Sequence, residues 1–165
     1  MIIKNLKKNF FINSFFILLI FLLDRTSKVY FIHLSNKISS NEIFFSKYLN
    51  IYLTWNDGVA FGMLSFNESY LYNILTIVIL LVIVVLIFMT LNTSGLKKYS
   101  LLMILGGAFG NVFDRIFYKA VPDFIDFHVG NFHWFIFNVA DIFISLGVFF
   151  VIFFELIGNN EDKSK

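Results

Sequence analysis

Two aspartates, Asp123 and Asp141, are the residues of this chain best suited to chemistry. Pro122 fixes its own φ and restricts the residue before it, which favours a rigid backbone at Asp123. Asp141 is predicted one turn into a helix, where it shares a face with Asn138. If the two carboxyl groups meet, they share one proton, because two close carboxylates cannot both ionise. One can then act as a base on water while the other donates a hydrogen bond to a carbonyl, which is chemistry for amide hydrolysis.

The same residue types also suit a proton or ion pathway. A small proton-coupled transporter or channel subunit that uses Asp114, Asp123 and Asp141 as a relay is therefore a second hypothesis. It predicts acids spread through the depth of the membrane, and more spans or internal repeats. Here the acids gather toward one edge of the predicted spans and no duplication is evident, which favours hydrolysis.

Charged residues near this pair have two interpretations. Asp24 and Lys28 are spaced i,i+4 and so share a helix face. They fit either a snorkelling pair that ends a helix or a functional pair. Asp114 and Arg115 are adjacent and therefore point about 100° apart on a helix. One of them can contact the site while the other anchors a loop.

The composition indicates that the bilayer is the solvent for this chain. Its 165 residues are 58% hydrophobic and 15% charged, whereas soluble domains are about half apolar and a quarter charged. We expect one integral-membrane domain over residues 1–165, with four spans at approximately 10–31, 70–91, 100–117 and 135–157. Four spans place both termini on one side, and lysines at the N-terminus, in the 92–99 loop and in the tail mark that side as cytoplasmic.

Two outer loops, residues 32–69 and 118–134, are expected to contain β structure. The segment Tyr48 to Trp55 is rich in β-branched and aromatic residues, and the turn signal Asn56-Asp57-Gly58 follows it. Gly130-Asn131 stands at the centre of the alternating segment H-V-G-N-F-H-W, which predicts a two-residue hairpin turn. The expected fold is thus an all-α polytopic membrane protein with a small β element outside the hydrocarbon.

Cysteine and histidine usage predicts no metal site. The chain has no cysteine, which excludes disulfides, cysteine nucleophiles and thiolate ligands. His128 and His133 are five residues apart and flanked by aromatic residues, a setting typical of membrane-interface histidines rather than ligands. A net charge of +2 without a basic stripe gives no sign of nucleic-acid binding.

Four sequence blocks occur in a fixed order over most of the chain. They are D-R-T-S-K (Asp24 to Lys28), N-D-G-V-A-F (Asn56 to Phe61), G-G-A-F-G-N-V-F-D-R leading into V-P-D-F-I-D-F (Gly106 to Phe127), and F-N-V-A-D (Phe137 to Asp141). In this order the blocks resemble those of the lipoprotein signal peptidases, also called signal peptidase II.

The resemblance implies an aspartic endopeptidase of the bacterial inner membrane. Such an enzyme cleaves a prolipoprotein signal peptide immediately before a cysteine that carries diacylglyceryl. By the family pattern Asp123 and Asp141 are the catalytic pair, near the outer leaflet. The implied fold has four membrane helices and a small extracytoplasmic β-sheet cradle. No metal or organic cofactor is expected, the partners are lipidated prolipoproteins and membrane lipids, and the chain is expected to be a monomer.

The resemblance also gives roles to further residues. Positions that line the site and hold the substrate backbone are Asn56, Asn111, Arg115 and Asn138, and supporting positions are Asp24, Lys28, Gly58 and Asp114. Two residues depart from the family pattern: Lys119 stands where glycine is common, and Phe135 stands where proline is common. Because glycine permits positive φ, Lys119 predicts a somewhat different loop path.

Overall fold

The computed structural model describes residues 2–58 and 69–162, and the side chains of these except 2–9, 69, 71 and 158–162. The helices of this part of the chain are α1 (Ile2–Ile38), α2 (Ser69–Leu91), α3 (Gly95–Tyr118) and α4 (Val139–Asp162). The strands are β1 (Glu42–Phe45), β2 (Leu49–Asn56), β3 (Val121–Val129) and β4 (Phe132–Phe137). Residues 59–61 of the second sequence block lie outside the described residues.

Helix α3 is the centre of the helical layer. It packs against α1, α2 and α4, and its Leu101, Leu102 and Leu105 are almost completely buried. In contrast, α2 and α4 expose long rows of aliphatic and aromatic side chains. Such an apolar periphery suits lipid tails, which require no polar surface from the protein.

Three stretches of the described chain are long and apolar enough to cross a membrane. They are Tyr72–Leu91, Gly95–Tyr118 and Val139–Ile157. Helix α1 is not among them, and it carries Asp24, Arg25 and Lys28 beyond its midpoint. The architecture is thus a mostly helical membrane protein with a small antiparallel sheet.

The helix ends differ from the predicted boundaries in several places, and α1 and α4 both extend beyond their predicted spans. Helix α1 continues past residue 31 to Ile38, so the first loop begins later than predicted. Helix α3 begins at Gly95 rather than at residue 100. Residues 135–137, predicted to open the last helix, instead belong to β4, whose aromatic and β-branched run pairs with β3.

The sheet confirms both predicted β elements. Its strand order is β1-β2-β3-β4, and all neighbouring strands are antiparallel. The hairpin between β3 and β4 turns at Gly130, which has a φ of +60°. Lys119 ends α3 with the same φ, so a lysine occupies the left-handed conformation that glycine adopts most easily.

Glycines allow α3 to approach both α1 and α4 closely. A Cβ on Gly107 would lie 2.5 Å from the backbone oxygen of Ala140, and one on Gly106 would lie 2.8 Å from Cβ of Ile20. Small residues of this kind permit helix backbones to pack at short range in membranes. The polar side chains that follow on α3 can therefore reach the first turn of α4.

We predict that Gly107→Ala destabilises the protein by about 1–3 kcal/mol, the usual range for overpacking. The added methyl group would overlap the backbone of Ala140 and push α4 away from α3. Thermal unfolding in detergent micelles measures the effect. Val85→Leu is the control, because it adds one carbon to a side chain that is 57% exposed. Equal melting temperatures for the two variants would contradict the close helix packing.

Candidate active site

The first turn of α4 holds Asp141 through reciprocal hydrogen bonds with Asn138. Asn138 immediately precedes α4, and its Oδ1 accepts the backbone N–H of Asp141 at 3.2 Å. In return, Asp141 Oδ2 accepts the backbone N–H of Asn138 at 3.1 Å. This is a capping box with Asp in place of the usual Glu or Gln, and it satisfies N–H groups that the helix cannot pair itself. The macrodipole of α4 also favours a negative charge at this position.

Strand β3 brings Asp123 to the same place. Asp123 is only 2% exposed, and both of its carboxylate oxygens accept hydrogen bonds from side-chain amides. The Nδ2 of Asn138 donates to Oδ1 at 2.6 Å, and the Nδ2 of Asn56 donates to Oδ2 at 2.9 Å. Asn138 therefore contacts both aspartates, one through its side-chain amide and the other through the capping box.

The turn after β2 orients Asn56. The Oδ1 of Asn56 accepts the backbone N–H of Gly58 at 2.9 Å, which leaves its Nδ2 free to face Asp123. Arg115 holds the same turn from α3, because its Nη2 donates to the carbonyl oxygen of Gly58 at 2.7 Å. Tyr72 on α2 donates its hydroxyl to the carbonyl oxygen of Arg115 at 3.4 Å. These contacts link α2, α3 and β2 at one edge of the site.

A buried lysine supports the other edge. Lys28 is fully buried, and its ammonium group donates to Asp24 Oδ2 at 2.8 Å, Asn111 Oδ1 at 2.8 Å and Asp114 Oδ2 at 2.7 Å. An ammonium has three N–H donors, so each one has a partner. Asn111 extends the contact to the aspartate pair, since its Nδ2 donates to Asp141 Oδ1 at 2.9 Å.

The two carboxylates that bind Lys28 connect it to further elements. Asp24 Oδ1 accepts the backbone N–H of Ala140 at 2.9 Å, another donor in the first turn of α4. Asp114 Oδ1 pairs with Arg25. Arg25, Asp24, Lys28 and Asp114 thus form a group of two cations and two anions, which we call the ion cluster; all are buried except Arg25, whose side chain is 13% exposed.

Burial raises the pKa of Asp123 to about 7, and the nearby charge of Asp141 adds to the increase. The hydrogen bonds from Asn56 and Asn138 and the positive charge of Lys28 oppose the shift, because they favour the carboxylate. A carboxyl group with this pKa is protonated in about half of the molecules at neutral pH. The site can thus present a carboxylic acid beside a second carboxyl group.

Each aspartate borders a different cavity. Asp141 lines a cavity of about 530 Å³ whose wall is mostly apolar and includes Phe127 and Trp134. Asp123 lines a more polar cavity of about 400 Å³ together with Asn56. The two aspartates are therefore accessible from two cavities: a mostly apolar one beside Asp141 and a more polar one beside Asp123.

All of the predicted site residues lie in one hydrogen-bonded network. Its members are Asp24, Lys28, Asn56, Gly58, Asn111, Asp114, Arg115, Asp123, Asn138 and Asp141. The adjacent Asp114 and Arg115 diverge as expected, and Arg115 is the one that anchors a loop, at Gly58. The i,i+4 contact of Asp24 and Lys28 is confirmed.

Sequence reasoning overlooked some polar residues. Arg25 belongs to the first sequence block but was given no role, and its sequence position next to Asp24 was the available signal. His128 and His133, interpreted as interfacial, lie against the buried Asp126. The predicted hairpin turn already implied that these two histidines face each other across the strands.

Comparisons with known proteins agree with this architecture. Residues 16–157 match the family model described as signal peptidase (SPase) II. The chain is 50% identical over 158 residues to a lipoprotein signal peptidase of Pelagibacter ubique, covering 96% of this chain and 95% of that one. It is 36% identical to a lipoprotein signal peptidase of Anaplasma marginale, covering 86% and 82%.

Two solved structures resemble the fold, both described as bacterial membrane enzyme structures obtained by the in meso method. The first, at 2.3 Å resolution, has a TM-score of 0.71 and 28% identity, and the match covers 92% of this chain and 90% of that one. The second, at 1.9 Å resolution, has a TM-score of 0.64 and 24% identity over 87% and 91% of the chains. The second likeness concerns the fold alone.

The apolar helices and the fold define a membrane protein that resembles a solved bacterial membrane enzyme. More narrowly, the chain belongs to the signal peptidase II family. Family membership implies a protease that processes lipoproteins, and its substrates would be prolipoproteins in a membrane.

We predict that Lys28→Met destabilises the protein by about 3–5 kcal/mol, because within the ion cluster it leaves Asp24 buried without its cation and Asp114 with Arg25 alone. Lys97→Met is the matched control, since Lys97 pairs with Glu155 at an exposed site and is expected to contribute about 0–1 kcal/mol. Unfolding of both variants in detergent micelles measures the difference. A Lys28→Met variant as stable as Lys97→Met would refute the importance of the ion cluster.

Proposed function

We propose that this protein is an aspartic endopeptidase that cleaves prolipoprotein signal peptides immediately before the diacylglyceryl-modified cysteine. The observation that carries the proposal is the contact of Asn138 with both Asp123 and Asp141. Through these hydrogen bonds, Asn138 holds the carboxyl groups of Asp123 on β3 and Asp141 on α4 beside the same residue. Family membership supplies the substrate class, and the carboxyl pair supplies the chemistry.

The proposed reaction needs only water and the two aspartates. One carboxylate takes a proton from a bound water, which attacks the scissile carbonyl carbon. The protonated partner donates a hydrogen bond to the carbonyl oxygen and stabilises the tetrahedral intermediate. A proton then passes to the leaving amide nitrogen as the C–N bond breaks. No metal or organic cofactor is required for these steps.

Neighbouring side chains are suited to hold the substrate backbone. When a signal helix unwinds, its peptide N–H and C=O groups need new hydrogen-bond partners. Each group left unpaired in lipid costs on the order of several kcal/mol. Asn56 and Asn111 offer amide groups beside the aspartates. The Nε of Arg115 is buried and has no hydrogen-bond partner among the described residues, which makes it a candidate donor to a substrate carbonyl.

The two cavities fit the two parts of such a substrate. The apolar cavity beside Asp141 suits acyl chains or apolar side chains that arrive from lipid. The polar cavity beside Asp123 suits entry of water and the chain after the cleaved bond. The lipidated precursor would therefore reach the aspartates laterally, without leaving the bilayer.

The membrane arrangement we propose has four spans in one domain. Helix α1 serves as the additional span, with the ion cluster compensating its charges inside the protein. Both termini lie in the cytoplasm, and the aspartates lie near the outer leaflet of a bacterial inner membrane. The functional unit is a monomer in contact with membrane lipids.

The geometry favours a peptidase over a proton relay. A relay through Asp114, Asp123 and Asp141 needs acids that pass protons along one path. In the described chain, Asp114 instead engages Arg25 and Lys28. The amide of Asn111 separates this ion cluster from Asp141.

We predict that Asp123→Asn and Asp141→Asn each abolish cleavage of a diacylglyceryl-modified precursor. An amide cannot act as the base or share the proton, so the rate is expected to fall by at least about a hundredfold. Gel-shift or mass-spectrometric assays of purified variants in micelles measure cleavage, and thermal unfolding confirms that they are folded. Glu42→Gln, at an exposed position of β1, is the control with full activity. Full activity in either aspartate variant rejects the pair.

We predict that cleavage slows as the pH rises through about 7, the pKa to which burial and Asp141 raise Asp123. Below this pH the pair retains its shared proton, whereas above it both carboxyls are ionised and no acid remains. The rate is therefore expected to fall about tenfold for each pH unit above the midpoint. Measuring kcat/KM from pH 5 to 9 tests this, and a rate that stays constant to pH 9 would contradict the shared proton.

A further inference from the structure

The hairpin of β3 and β4 carries a second cluster of titratable side chains, which consists of Asp126, His128 and His133. His128 and His133 are paired across the two strands, and their rings stack with centroids 5.0 Å apart. Asp126 is completely buried. None of the three belongs to the network that holds the catalytic aspartates, so the peptidase proposal does not account for them.

The donor atoms of these residues converge. The Nδ1 of His133 lies 2.8 Å from Asp126 Oδ2, and the Nδ1 of His128 lies 3.9 Å from the same oxygen. One ligand atom from each residue can be chosen so that all lie within 4.8 Å of one another. Ligands about 2.0–2.2 Å from a common tetrahedral ion are about 3.4 Å apart. The observed separations bracket this value, so small side-chain rotations would suffice.

The hydrogen bonding of the cluster is incomplete at His128. Its side chain is 11% exposed, and its Nδ1 is buried without a hydrogen-bond partner in the described part of the chain. A buried polar atom of this kind is uncommon and calls for a water or an ion. The His133 side chain is 52% exposed, which provides a route from solvent to the cluster.

We propose that Asp126, His128 and His133 bind one divalent transition-metal ion, with zinc the best fit. Two imidazoles and one carboxylate are a donor set that zinc accepts in tetrahedral sites, with water at the fourth position. Asn50 supports the site from β2, since its Nδ2 donates to Asp126 Oδ2 at 3.2 Å. Such outer hydrogen bonds orient carboxylate ligands toward the metal.

A metal at this position would clamp β3 to β4. His133 borders the same cavity as Asp123, and the hairpin leads from Asp123 on β3 through β4 into α4. The ion would therefore stiffen the connection between the two proposed catalytic elements. Metal binding itself does not depend on the peptidase proposal, and it can be tested without substrate.

The test is zinc binding by the full chain in detergent micelles, purified with an affinity tag that contains no histidine. After removal of metal with a chelator, Zn²⁺ alone is titrated against a chromogenic competitor. The wild type is expected to bind one ion. His128→Asn and His133→Asn are each expected to weaken zinc binding at least about tenfold. Even the loss of a residue that only hydrogen-bonds a metal ligand typically lowers the affinity by about that much. His33→Asn, at an exposed position of α1, is the control and is expected to bind as the wild type does.

A second readout separates lost binding from lost folding. Zinc is expected to raise the melting temperature of the wild type and of His33→Asn, since a ligand of the folded state stabilises it. Zinc should leave the melting temperature of His133→Asn unchanged. Because the His133 side chain is half exposed, this variant is expected to disturb folding less than His128→Asn does. Absence of stoichiometric binding in the wild type, or equal binding by the wild type and both ligand variants, would overturn the proposal. In that case Asp126 and His133 form only a hydrogen-bonded pair.

Discussion

The three hydrogen bonds donated by the ammonium group of Lys28 are the interaction on which the rest of the site depends. A fully buried cation needs anions to balance its charge and acceptors for all its N–H donors. Without them, burying the charge costs on the order of several kcal/mol. Asp24 and Asp114 supply the charge, and Asn111 supplies the third acceptor. These partners come from α1 and α3, so the contacts of Lys28 favour the orientation in which the two helices face each other here.

The consequences of this constraint extend to the aspartates. Asn111, fixed by Lys28, donates to Asp141, while Asp24 binds the backbone of Ala140 in the same turn of α4. The start of α4 is therefore held from two sides by residues that take no part in the proposed chemistry. Asp24 and Lys28 are buried against α3 and α4, which argues against a snorkelling pair and is consistent with a positioning role.

The sequence predicted which polar residues lie together in the hydrogen-bonded network better than it predicted the element boundaries. Motif blocks and i,i+4 spacing place side chains on common faces, and this was sufficient for Asp24 and Lys28. The extension of α1 to Ile38 and the strand at residues 135–137 depend on tertiary pairing, which local composition does not encode. The convergence of Asp126 on the histidines was also hidden, because the register shifts between Asp126 and His128. The catalytic roles of Asp123 and Asp141 stay a prediction.

The central claim is that paired carboxyl groups cleave a lipid-modified precursor at the membrane. The most direct measurement is mass spectrometry of the products formed by the purified wild-type protein from matched precursors with and without diacylglyceryl on the cysteine. We expect a single cut, immediately before the modified cysteine, and no cut in the unmodified precursor. Cleavage of both precursors at equal rates, cleavage at another bond, or no cleavage of the lipidated precursor would contradict the account.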